Sequence, residues 1–167
     1  LIPDSKACQA MASSIESTGG VYIVPAFVGL GAPYWDSSAK ASVTGITFAT
    51  KRAHLVRAAE ESIAYQIKDV ADLMVKESGI DIRELRVDGG PTRDGFLMQF
   101  QADILNTEVT TTKIEELSAF GSCLMAGIAV GAWKNQAELE SVRGECNTYK
   151  PTMDPEKRAV LYSGWKE

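Results

Sequence analysis

Leu85-Arg86-Val87-Asp88-Gly89-Gly90-Pro91-Thr92 runs from a short apolar strand into a turn built on two adjacent glycines. A helix follows from about Arg93 to Leu105, with Phe96, Leu97, Phe100 and Ile104 on its buried face. The glycines let the main chain turn tightly and leave no Cβ between backbone and an approaching ligand, while the helix start behind them points N–H groups outward. That arrangement suits a nucleotide phosphate. It equally serves an ordinary strand-to-helix turn, so the motif alone leaves both readings open. Neither a GxxxxGK(S/T) phosphate loop nor a dinucleotide GxGxxG with its downstream acid occurs in the chain.

Working outward, the segment before this strand carries Leu55, Ala59, Ile63, Ile67, Val70 and Met74 at spacings of three and four. This periodicity predicts an amphipathic helix from Lys51 to Ser78, about 40 Å long at 1.5 Å per residue, with Gly79 as its C-terminal cap. Earlier still, Pro3 to Ile15 reads as a helix ended by Thr18-Gly19-Gly20, and Val21 to Val24 as a buried strand closed by Pro25. Ser42 to Phe48 reads as another strand, with Gly45 marking a bulge or a close approach. Beyond the central helix, Glu108 to Thr112 repeats the β-branched strand signature. Ser118 to Val130 forms a helix of small residues, and Asn135 to Ser141 suits a further helical turn. Strands alternating with helices after an opening strand pair predict an α/β fold, a mixed β-sheet flanked by helices, with residues 1–167 as one domain.

The 167 residues include 17 Lys and Arg against 22 Asp and Glu, a net charge of −5, which argues against nucleic acid or an anionic membrane as partner. No apolar run reaches the roughly 18 residues needed to span a bilayer. Cys8, Cys123 and Cys146 are odd in number and widely spaced, which suggests neither a disulfide framework nor a zinc site, and a reducing cytoplasm is expected. The chain opens at Leu1 rather than Met, just before the helical segment from Pro3, and is expected to be a fragment of a longer polypeptide.

Other candidates carry less chemistry. His54, the sole histidine, has no second ligand nearby in sequence, and no metal site is expected. Asp88 reads as a turn or cap group rather than a proton acceptor. Pro33-Tyr34-Trp35-Asp36 is either a binding lip or the aromatic anchor of a long loop. Gly121, Gly127 and Gly131, among Ala119, Ser122, Ala126 and Ala129, either allow close helix packing or shape a surface for a flat adenine ring.

Several long runs together resemble the C-terminal half of the FGGY carbohydrate kinases, within the actin-like ATPase superfamily, and in particular its glycerol-phosphorylating branch. They are Gly20 to Phe27, Gly29 to Asp36, Glu61 to Gln66, Leu85 to Gly90, Phe96 to Leu105 and Ala126 to Gly131. Gly45 to Gln66 also resembles the second FGGY signature, in which the positions of His54 and Glu61 tolerate polar residues. The match stops one helix short of the family's usual C-terminus, after Tyr162 to Trp165.

The resemblance implies an RNase H-like domain forming one wall of an inter-domain cleft that holds ATP with Mg2+. It assigns Gly90, beside Gly89, to the nucleotide phosphates through its backbone. It assigns Asp94 to the nucleoside, at a position where the family usually has Asn. An ionised Asp accepts hydrogen bonds and cannot donate one. Lys40-Ala41, Pro91-Thr92-Arg93 and Phe120 to Cys123 are local departures from the family pattern. The family's catalytic Asp and its glycerol-binding residues precede Leu1, so no catalytic residue is expected in this chain, and the full-length protein is expected to be a homodimer or homotetramer. Two other readings stay open: an FGGY kinase acting on a pentulose or similar polyol, and a non-catalytic nucleotide-binding module.

Overall fold

A computed structural model describes residues 2, 7–112, 114, 117–134, 138 and 146–167. The helix expected from Pro3 to Ile15 is seen as α1, Ala7–Ser13, since the four residues from Pro3 fall outside the described set. Two short strands follow, β1 (Tyr22–Val24) and β2 (Ser42–Thr44), paired antiparallel with Tyr22 opposite Thr44 and Val24 opposite Ser42. β2 stops four residues before the expected Phe48. Gly45 has φ 74°, and a Cβ built there would lie 1.9 Å from the Gly20 carbonyl oxygen, so the chain bends at a close backbone approach. Ile46 and Phe48 are exposed beyond it.

The long helix α2 spans Arg52–Ser78 and ends where expected: Gly79 adopts φ 69°, and its amide donates to the Val75 carbonyl at 2.8 Å. Its orientation differs from the sequence reading. The buried positions are Val56, Ala58, Glu60, Glu61, Ser62, Ala64, Tyr65 and Asp69, whereas Ile63 and Met74 are 41% and 59% exposed. The apolar stripe Ile63, Ile67, Val70 and Met74 instead lines a groove of about 910 Å3 shared with Leu30, Ile82 and Leu85.

The second sheet is β3 (Glu84–Val87), β4 (Glu108–Thr112) and β5 (Cys146–Tyr149), in that order. β3 and β4 run parallel, joined by α3 (Gly95–Leu105), and β5 pairs antiparallel with β4. The sheet is therefore mixed, and helices pack on it. α4 (Leu117–Ala129) follows β4, and α5 (Pro155–Lys166) closes the chain behind the N-cap Asp154. The turn expected over Asn135 to Ser141 lies outside the described residues apart from Glu138.

The core gathers Ala64 and Tyr65 of α2, Leu97, Met98, Phe100, Ala102 and Ile104 of α3, Val109 of β4 and Trp165 of α5. Tyr65 stacks on Trp165 at 5.3 Å and meets Phe100 edge-on at 5.5 Å. Next to it lies a buried carboxylate, Asp69, with its side chain 1% exposed. A carboxylate survives burial only when donors fill its oxygens. Here Tyr162 Oη donates at 2.6 Å, Trp165 Nε1 at 2.8 Å, Tyr34 Oη at 2.9 Å and Lys166 Nζ at 3.2 Å, so one side chain of α2 fastens both α5 and the loop holding Tyr34.

Candidate functional site

The site is built at the C-terminal end of β3. Val87 ends the strand, Asp88 is exposed, and Gly89 turns the chain at φ 93°, ψ 176°, a region open essentially to glycine alone. Gly90 is exposed, and a Cβ built on it would meet no atom within 4 Å. The two glycines thus do separate jobs: Gly89 supplies the conformation and Gly90 leaves a bare, open main chain.

The helix does not begin at Arg93, as its sequence suggested. Gly90–Arg93 forms a 3-10 turn, with Thr92 donating to the Gly89 carbonyl through its amide at 3.1 Å and through its hydroxyl at 2.7 Å. Asp94 is then the N-cap of α3, its Oδ1 accepting from the Leu97 amide at 3.0 Å. The helix start behind the glycines therefore already holds an anion, the Asp94 carboxylate, and the 3-10 turn stands between it and Gly90. The structure brings Gly89, Gly90 and Asp94 into one six-residue turn.

A further residue at this turn was not read from the sequence. Glu60 of α2 is 7% exposed, and its carboxyl lies within hydrogen-bonding reach of Asp94 and of the Cys8 thiol of α1. Burial, and then the Asp94 carboxylate beside it, push the Glu60 carboxyl up to about 7. The signal was present: Val56, Glu60 and Ala64 fall at spacings of four, so an acid interrupts a stripe that otherwise faces inward.

Of the remaining candidates, His54, Tyr34 and Gly127 resolve into capping or packing. His54 Nδ1 accepts from the Lys51 amide at 2.8 Å at the start of α2, which gives it a helix-capping role. Tyr34 is a loop anchor on Asp69, while its neighbour Trp35 is 79% exposed with φ 53°. Gly127 is closed by packing, since a Cβ there would lie 1.9 Å from the Trp133 ring, whereas one at Gly121 or Gly131 would meet nothing within 4 Å. A second cleft, about 340 Å3 in volume, lies among Arg57, Phe96, Gln99, Asp103, Met153 and Lys157. Neither it nor the apolar groove includes the Gly89 to Asp94 turn. Among the described residues, no group of three or more His, Cys, Asp or Glu side chains is placed to hold a metal ion, and no helix is long and apolar enough to cross a membrane.

A β-strand runs into an open Gly-Gly turn and crosses through α3 to a parallel neighbour in a mixed sheet, and the comparison with known proteins gives this unit its class, a carbohydrate kinase domain. Residues 3–130 match the FGGY family of carbohydrate kinases, C-terminal domain, and the chain belongs to that family. Within it, the chain is 48% identical over 167 residues to a glycerol kinase of Shewanella piezotolerans, covering all of this chain and 34% of that protein. It is 52% identical over 159 residues to a glycerol kinase of Saccharolobus islandicus, covering 95% and 32%. The crystal structure of Plasmodium falciparum glycerol kinase with ADP superposes with a TM-score of 0.91 at 37% identity, over 99% of this chain and 33% of that one. Ligand-bound xylulose kinase from Lactobacillus acidophilus matches with a TM-score of 0.80 over 96% and 32%, at 22% identity, a likeness of fold alone. The α/β class expected from the sequence is borne out as the actin-like ATPase fold of these kinases. The chain spans about a third of the length of the relatives it matches.

Proposed function

We propose that residues 1–167 are the C-terminal, nucleotide-holding domain of a cytoplasmic, ATP-dependent glycerol kinase. The observation that carries the reading is the Gly89-Gly90 turn, open at Gly90 and set in a chain 37% identical to a kinase crystallised with ADP. The reaction moves the ATP γ-phosphoryl group to a glycerol hydroxyl, giving sn-glycerol 3-phosphate and ADP. Such transfers depend mainly on positioning and on electrostatic stabilisation of the phosphates.

This chain's share is positioning. The Gly90 main chain admits the phosphates without a side chain in the way, Gly89 holds the turn that presents it, and Asp94 offers carboxylate oxygens to hydroxyl or amino donors on the nucleoside. Mg2+ would enter with the phosphates and offset their charge. Glycerol and the group that accepts its proton belong to the remaining two thirds of the polypeptide, so the 167-residue chain alone forms no ADP in a glycerol-dependent manner.

The test is a calorimetric titration of ATP into the full-length polypeptide and its Gly90→Val variant. A branched Cβ projecting from the open turn abolishes binding with the fold retained, as read by an unchanged circular dichroism spectrum; unchanged affinity would refute the assignment. A panel of glycerol and pentulose acceptors on the full-length enzyme decides between the two kinase readings, and the 48% identity to glycerol kinases over the whole chain favours glycerol.

A further inference from the structure

Three elements meet behind the nucleotide turn, and each brings an ionisable group. α1 brings the Cys8 thiol, the N-cap of α3 brings Asp94, and α2 brings Glu60. On α2 itself, the neighbouring Arg57 and Glu61 are engaged with each other at 2.7 Å. Glu60 is more than nine-tenths buried, and its Oε2 meets no donor among the described residues.

Two ionised carboxylates in contact repel each other, whereas a single proton between them turns the contact into a short hydrogen bond to an anion. Two differences between the carboxyls bear on which of them carries it. Asp94 already accepts the Leu97 amide and occupies the N-cap of α3, where unpaired amides and the helix dipole favour a negative charge. Glu60 has no such donor from its own helix and is the more deeply buried of the two. Both differences favour the proton on Glu60.

We propose that Glu60 is a positioning residue for the nucleotide turn: protonated, it donates to Asp94 and holds the Gly90 to Asp94 segment against α2, and when it ionises that segment is released and nucleotide binding weakens. The inference rests on the nucleotide reading of Gly90 and Asp94 given above. It also explains how an acid is accommodated at position 94, since the neighbour that crowds it carries the compensating proton. Because the Glu60 carboxyl is pushed up to about 7, ionisation falls within the range in which a cytoplasmic enzyme works.

The experiment measures ATP affinity of the full-length polypeptide by calorimetry from pH 6 to 8.5, for the wild type, Glu60→Gln and Asp94→Asn. ATP has its own titration, so the reading is the ratio of each variant to the wild type. If binding requires the protonated form, wild-type affinity falls towards a limit of about tenfold per pH unit above 7 relative to Glu60→Gln, whose amide donates to Asp94 at every pH. Asp94→Asn removes the facing carboxylate and also flattens the profile, which keeps the test available if Glu60→Gln folds poorly. In parallel, carbon-detected NMR of labelled Glu side chains follows Glu60 directly, without nucleotide. A midpoint near 7 that drops towards the ordinary carboxyl range in Asp94→Asn supports the shared proton.

Equal pH slopes for wild type and Glu60→Gln, or a Glu60 midpoint in the ordinary range, overturn the proposal. An unchanged ATP affinity in Gly90→Val would instead overturn the nucleotide reading, and the NMR titration separates the two failures.

Discussion

Replacing Asp69 with Ala removes the acceptor shared by Tyr34, Tyr162, Trp165 and Lys166. Lys166 is 43% exposed and recovers hydration, so its share of the loss is small. The Trp165 indole is different: the residue is buried, and its Nε1 has no other partner among the described residues, so stranding it costs about 1 to 3 kcal/mol. The two part-buried tyrosine hydroxyls turn towards water and lose about 1 kcal/mol each. The sum, about 3 to 5 kcal/mol, agrees with the cost of removing one partner from a buried charge cluster. It is a large share of the 5 to 15 kcal/mol that holds a typical domain together. In urea, with a slope of about 2 kcal/mol per molar, the unfolding midpoint of the chain should fall by about 1.5 to 2.5 M, followed by tryptophan fluorescence. Asp69→Asn keeps an acceptor and the side-chain shape and should lose about half as much. A shift below about 0.5 M for Asp69→Ala would show that α5 and the Tyr34 loop do not depend on this carboxylate.

Two further changes follow from the turn and its neighbours. Gly89→Ala forces a side chain into φ 93°, ψ 176° while its Cβ meets nothing within 4 Å, so the expected loss of about 1 to 3 kcal/mol is backbone strain alone, visible as a lowered Tm. Glu60 binds its proton more tightly folded than unfolded, so its contribution is fully present below pH 4.5 and is lost as pH rises through about 7. At 1.36 kcal/mol per pH unit this sets a limit of about 3 kcal/mol, and the stability of Glu60→Gln relative to the wild type should climb between pH 5 and 8.

Much of the framework was legible because it rests on local chemistry. Gly79 capping α2, Val21 to Val24 before Pro25, and β3 running into Gly89-Gly90 are each fixed by a few adjacent residues. The face of α2 was not legible. Periodicity ranks positions by hydrophobicity, and on α2 the residues turned inward include Glu60, Glu61, Ser62 and Asp69, whose burial depends on partners distant in sequence. Asp69 reads as a surface charge until Tyr162, Trp165 and Lys166 are placed around it. Likewise Gly45 ends β2 because of the Gly20 carbonyl, a contact that alternation along Ser42 to Phe48 does not encode.

At the candidate site, the sequence carried the glycines but not the turn between them and α3. The reading of the sequence starts the helix at about Arg93, because Pro91 fits the first turn of a helix as readily as a 3-10 turn and nothing local marks Asp94 as the cap. That shift matters chemically, since it makes Asp94 the cap of α3 and brings its carboxyl against Glu60. The acid at position 94 thereby faces a buried carboxyl 34 residues earlier in the chain.

The most direct test of the account is a crystal structure of the full-length polypeptide with a non-hydrolysable ATP analogue. Phosphate oxygens should lie about 3 Å from the Gly90 main chain, with the nucleoside beside Asp94. Phosphate density elsewhere, with the Gly89-Gly90 turn facing only solvent, would contradict it.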